Sequence, residues 1–214
     1  MRMTASKKYL LIAAANLRRN FLAHIVLSVL LLLITPAIFG IANLDAKTAA
    51  IPLEMFVALM GTVLLTPVFL PEQQKEIREL VESRYTGQNS ICLVRIAIGI
   101  LTLLLLISGF VLYMKLNGCE FEVLPFILGT FAGALFLGAL GLFSYGVSDS
   151  IVTGYMVPMV YYMLNMFSGS EHLGKLYLFS MARGSFKEKY WLFGTGVLLI
   201  ILALLVKSIV RKKR

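Results

Sequence analysis

The sequence reads as an all-α, polytopic membrane bundle of six transmembrane helices with both termini in the cytoplasm, on three grounds. First, its 214 residues are 59% hydrophobic and only 14% charged, with a mean hydropathy of +0.86, far from the balance of a soluble domain. Second, six apolar runs, 21–41, 51–70, 91–114, 123–145, 151–167 and 191–210, reach or approach the roughly 20 residues that cross hydrocarbon as a helix. They lack the two-residue alternation of a barrel, and a helix satisfies its own backbone in lipid. Third, the 20 basic residues divide unevenly, 14 flanking the runs on one side and six on the other. Basic residues are retained in the cytoplasm, so 42–50, 115–122 and 168–190 are expected outside. The net charge of +9 is then a topology signal and an attraction to anionic headgroups. Disorder and a nucleic-acid-binding globule are excluded. Six spans fill the chain as one domain, 1–214, and place any soluble machinery on another chain.

Taken in order, the stretch 4–19 combines Tyr9, Leu10, Ile12 and Leu17 with Lys7, Lys8, Arg18 and Arg19. It reads as an interfacial amphipathic helix or as a basic flank that orients the first span. The run 21–41 exceeds the length of a signal-peptide core and is expected to stay as an uncleaved span. Pro36, Pro67 and Pro158 lie within runs, where each can kink its helix. Glu54, near the outer end of 51–70, is the one carboxylate inside an apolar run, which makes it a functional candidate. From that position it could alternatively reach water or pair with Lys47.

The stretch 71–84, Pro-Glu-Gln-Gln-Lys-Glu-Ile-Arg-Glu-Leu-Val-Glu-Ser-Arg, is the densest in charges of both signs. Proline suits a first helical position, Glu72 and Glu76 suit the positive helix end, and Lys75 with Glu79 and Arg78 with Glu82 are i,i+4 pairs. Ile77, Leu80 and Val81 form a short apolar stripe on this charged rod. It is either a docking helix for a cytoplasmic partner or a helix lying on the headgroups. The breaker cluster 85–90 ends it.

Arg95 and Lys207, at the ends of their runs, are expected to snorkel to headgroups, and His24 likewise. In 123–145, Gly129, Gly133, Gly138, Ala139 and Gly141 allow close helix approach, within one protomer or between two. Asp149, in Ser148-Asp149-Ser150, is expected to cap the following helix. The run 151–167 carries Tyr155, Met156, Tyr161, Tyr162, Met163, Met166 and Phe167, which either line an apolar path or fill the core. The segment 168–190 is too apolar for a plain loop and too short in its apolar runs to span. It reads as a re-entrant or interfacial helical pair.

Catalytic patterns are missing. No phosphate loop, no His-Glu-x-x-His and no paired-cysteine spacing occurs, and Cys92 and Cys119 stand in different contexts; no enzymatic activity, cofactor or metal is expected on this chain.

In the order of these parts the chain resembles the permease subunits of ATP-binding cassette transporters of the type 2 exporter class. The local match is Glu76-Ile-Arg-Glu-Leu-Val-Glu-Ser-Arg-Tyr-Thr-Gly-Gln-Asn-Ser-Ile-Cys-Leu-Val-Arg95: an acidic residue, an aliphatic turn, a Ser-centred break, then a basic residue opening the third span. Arg84 follows Ser83 where a proline is common in the family, so the helix end is less sharply set. The resemblance implies that 71–84 is a coupling helix whose Glu72, Glu76, Ile77, Glu79, Leu80 and Val81 contact a separate ATPase subunit, which holds ATP and Mg. It further implies that 4–19 is a connecting helix and that a second permease subunit, identical or related, completes a translocation path in the cell membrane of a bacterium. Glu54, Tyr155, Tyr161 and Tyr162 are the candidates for that path, and a lipid, peptide or hydrophobic drug is the expected substrate. The alternatives are an ion-driven secondary transporter and a non-transporting sensor, scaffold or immunity protein.

Overall fold

The computed structural model describes residues 21–73 and 88–212. The stretch 4–19, and Glu76, Ile77, Glu79, Leu80 and Val81 of the docking stretch, lie outside the described residues. Glu72 falls in the 3-10 stretch Thr66–Gln73. Among the described residues seven α-helices follow one another: α1 Leu22–Phe39, α2 Ala46–Met55, α3 Met60–Leu65, α4 Gln88–Leu116, α5 Val123–Ser148, α6 Ile151–Leu173 and α7 Lys187–Lys212. Among the described residues no strand forms; Asp45 and Glu120 make an isolated parallel bridge.

Among the described residues five elements are long and apolar enough to cross a membrane: α1, the composite Ala46–Leu70, Ile91–Leu116 within α4, α5, and Lys187–Ile209 within α7. The composite span is α2 and α3 joined by a 3-10 turn, Val57–Leu59, and continued by Thr66–Gln73. The sixth expected span is the 23-residue helix α6, which does not reach that apolarity. Its polar groups are sorted by face. Tyr162 and Asn165 are buried, whereas Val152, Met156, Val160, Met163, Leu164 and Phe167 are exposed. The aromatic and thioether set of 151–167 is therefore split, the tyrosines at 161 and 162 turned inward and the methionines outward.

α5 is the axial helix. It packs against α7, α6, α3 and α4, and its glycines permit backbone contact. A Cβ built on Gly61 would stand 1.7 Å from the Ala134 carbonyl oxygen, and one on Gly138 would stand 2.4 Å from that of Gly61. No side chain larger than hydrogen fits such a crossing. The small residues of 123–145 thus serve packing inside the protomer. α1 is the opposite case: its Leu22, Val26, Leu27, Leu30, Leu33 and Ile38 are exposed, a surface that lipid solvates without cost.

One end of the bundle gathers the connections 40–45 and 117–122. The Asn43 N–H donates to the Asn117 carbonyl at 3.1 Å, the Glu120 N–H to that of Leu44 at 2.9 Å, and the Cys119 thiol to that of Ile41 at 3.1 Å. Asp45 precedes α2 there and accepts a hydrogen bond from the Thr48 hydroxyl, which holds its carboxyl below the ordinary carboxylate range. At the other end, two expectations change. Arg95 does not snorkel; it is buried, and its Nη1 donates to the Val68 carbonyl at 3.5 Å. Lys207 does not snorkel either: its Nζ lies 2.6 Å from Asp149 Oδ1 and sits 5.6 Å from the Phe69 ring centroid and 5.8 Å from that of Tyr145. Asp149 closes α5 in the left-handed conformation, with φ 54°, and directs its carboxylate to Lys207, while the Ser148 hydroxyl accepts the Ser150 N–H.

Candidate functional site

Between α6 and α7 the chain leaves helical geometry and turns into the bundle. Two single 3-10 turns, Gly174–Leu176 and Met181–Arg183, flank a short turn at 177–180; the segment 168–190, expected as a re-entrant or interfacial helical pair, holds the end of α6, irregular backbone over 174–186 and the start of α7. Tyr177, Leu178, Phe179, Ser180 and Met181 are all buried. Space for them comes from glycines of α5. A Cβ on Gly129 would meet Met181 Sδ at 2.5 Å, and one on Gly133 would lie 3.5 Å from Leu178 Cδ1 and 3.8 Å from Lys189 Nζ.

Irregular backbone inside a membrane bundle presents N–H and C=O groups with no ladder to join, and each must find a partner. Four side chains from three helices supply them. Glu54, on α2, accepts the Met181 N–H at 2.8 Å through Oε1 and the Ala182 N–H at 3.0 Å through Oε2. Lys189, in the first turn of α7, donates to the Leu178 carbonyl at 2.6 Å and lies 2.6 Å from Glu54 Oε1. Asn165, on α6, accepts the Leu178 N–H at 2.8 Å and donates to the Tyr161 carbonyl at 2.9 Å. The Tyr161 hydroxyl donates to the Leu176 carbonyl. The ion pair is enclosed, with Glu54 1% and Lys189 5% exposed. A buried pair of this kind persists when its remaining lone pairs and protons are also used, as the two N–H groups and the Leu178 carbonyl ensure.

α6 also mends the break in the second span. α2 ends at Met55, and the Tyr162 hydroxyl donates to the Met55 carbonyl at 2.8 Å. The Tyr162 ring meets Phe179 edge-on at 5.4 Å, and Phe179 meets Tyr177 at 6.0 Å. The inserted loop, the broken span and the inner face of α6 are thereby one packed unit.

Comparison with family models, curated proteins and solved structures finds no match.

Of the residues proposed for a path, Glu54, Tyr161 and Tyr162 converge on this loop, whereas Tyr155 lies half-buried nearer the start of α6. Glu54 pairs with Lys189 rather than Lys47. Two residues of the site escaped sequence reading. Lys189 was counted among the flanking charges, and Asn165 sits in a run judged by its aromatics and methionines; an amide within an apolar run is the signal that would have found it. Chemically the cluster is a clamp: both Glu54 oxygens are engaged, and no nucleophile stands beside a base among these residues.

Proposed function

We propose that the chain is the membrane-spanning permease subunit of an ATP-driven exporter, coupled through 71–84 to a separate ATPase subunit and paired with a second permease subunit. One observation carries this reading. The second span is fastened to α7 at both ends, by Glu54 to Lys189 at one and by Phe69 beneath Lys207 at the other, and it leads directly into the charged stretch 71–84. A displacement applied at 71–84 therefore has a packed route to the inserted loop at the far end. Sorting of α6 into a polar inner and an apolar outer face supports counting it as the sixth span, since lipid meets only the outer face. Six spans and the uneven basic residues agree with cytoplasmic termini in a plasma membrane. An ion-driven mechanism would use a carboxylate with free lone pairs near the bilayer centre, and those of Glu54 are engaged by Lys189 and two N–H groups.

Purification of the tagged chain from its native membranes, followed by measurement of Mg-dependent ATP hydrolysis in the eluate, tests the proposal. The expected result is hydrolysis that copurifies with the parent and is lost in a Leu80→Asp, Val81→Asp double variant which still elutes as a monodisperse membrane protein. ATP hydrolysis equal in the two preparations, or absent from both, overturns it.

A further inference from the structure

We infer that residues 174–184 form a hinged plug, a segment that leaves the bundle as a unit when the Glu54 clamp lets go. This goes beyond the proposed transport function and stands whether or not an ATPase binds. Three observations meet here. The segment is bracketed by Gly174 at φ 51° and Gly184 at φ 80°, and a Cβ built on either would meet nothing within 4 Å. Both ends therefore sit in backbone conformations that glycine leaves easily, and with room around them. Between the two hinges the buried side chains contact glycine-lined surfaces of α5, and these contacts can separate without unwinding a helix.

The second observation is the manner of attachment. The helices reach this segment's backbone through side chains, those of Glu54, Tyr161, Asn165 and Lys189. Among the described residues no ladder or helix hydrogen bond ties the segment to the bundle, but the Ser185 N–H bond to the Ser180 carbonyl, at 3.0 Å, spans the Gly184 hinge and must open with it. Glu54 is the keystone because it alone holds two of the segment's N–H groups and also the lysine that grips the Leu178 carbonyl. The third observation is Ser180. Its hydroxyl is buried without a hydrogen-bond partner, a standing cost that is relieved when the segment reaches water. The closed state is thus held by polar contacts centred on one carboxylate and carries one polar group that favours the open state.

Ser180 is also a suitable reporter, since Ser180→Cys changes one atom and loses no hydrogen bond. Labelling of the cysteine by a maleimide is followed with the full chain in lipid nanodiscs, with Cys92 and Cys119, both buried, as internal controls. The expected result is slow labelling of Ser180→Cys alone and labelling at least about tenfold faster when Glu54→Gln is added, as local opening becomes cheaper than global unfolding. Cys92 and Cys119 are expected to stay unreactive. Glu54→Asp, which keeps the charge but shortens the reach, should give an intermediate rate and serves if Glu54→Gln does not fold. Equal rates with and without the Glu54 substitutions overturn the inference. So does acceleration shared by all three cysteines, because the segment then opens only with the whole bundle.

Discussion

Glu54–Lys189 and Asp149–Lys207 have the same 2.6 Å separation, and both tie α7 to another part of the chain. Between residue 189 and residue 207 lie about 27 Å of helix, so the pairs stand at opposite ends of the bundle. Their surroundings differ. The first pair is 1% and 5% exposed and also holds three backbone groups of an inserted loop; the second is 29% exposed at Asp149 and 10% at Lys207. Equal geometry therefore goes with unequal consequence. A pair whose carboxylate still reaches water nets less than an enclosed one, whereas removing one member of an enclosed pair strands a charge and several backbone groups.

The largest effect expected from this contrast is on Glu54→Gln against Asp149→Asn. Glu54→Gln should lower stability by about 3–5 kcal/mol, and Asp149→Asn by less than about 1 kcal/mol. Denaturant unfolding in micelles, followed by the fluorescence of the single Trp191, reads both. The ring of Trp191 has the Lys175 ammonium 4.7 Å from its centroid, so it also reports directly on the inserted loop. Raising salt from about 0.1 M to about 1 M should shrink the Asp149 effect more than that of Glu54, because screening acts more on the more exposed pair. Losses of equal size would remove the distinction between the two ends.

A second experiment asks whether the enclosed pair is only a pair. Replacing a buried ion pair by apolar residues is often neutral or stabilising, and Glu54→Leu with Lys189→Met would then restore the parent's stability. Here the double variant still orphans the Met181 and Ala182 N–H groups and the Leu178 carbonyl, each worth about 1–3 kcal/mol when buried without a partner. It should therefore remain at least about 2 kcal/mol below the parent. Full recovery would mean that the loop backbone gains nothing from these side chains.

The contrast also separates what the sequence reveals from what it conceals. Apolar runs announce helices because backbone satisfaction in lipid leaves little choice, and the glycines of α5 announce close packing because only a glycine at 138 lets the Gly61 carbonyl of α3 approach. Glu54 stood out for the same reason, as a carboxylate in an apolar run. Its partner did not: Lys189 lies far along the chain, and hydrophobic periodicity says which face of a helix is buried but not which helix faces it. Lys207 and Arg95 were hidden similarly, since a basic residue at the end of a run reads alike whether it reaches headgroups or turns inward to Asp149 or Val68. The course of 174–186 was the least legible part. Its backbone is set by four side chains on other helices rather than by its own propensities, and the length of α6 was obscured because averaging hydropathy around a helix mixes its two faces.

The smallest expected effect lies at Asp149 itself and separates its charge from its backbone. Asp149 is one of two non-glycine residues with positive φ among the described residues, at 54°, a conformation that costs an ordinary L-residue about 1 kcal/mol and glycine almost nothing. Asp149→Gly removes the ion pair, a loss of about 0–1 kcal/mol, and the backbone strain, a gain of about 0.4–1 kcal/mol. The two should cancel to within about 0.5 kcal/mol. Asp149→Ala loses the pair and keeps the strain, so it should fall about 1 kcal/mol below Asp149→Gly in the same unfolding measurement. If both variants drop equally and by more than that, the Asp149 carboxylate holds the α5–α6 turn as firmly as Glu54 holds the inserted loop, and the two ends of α7 are alike after all.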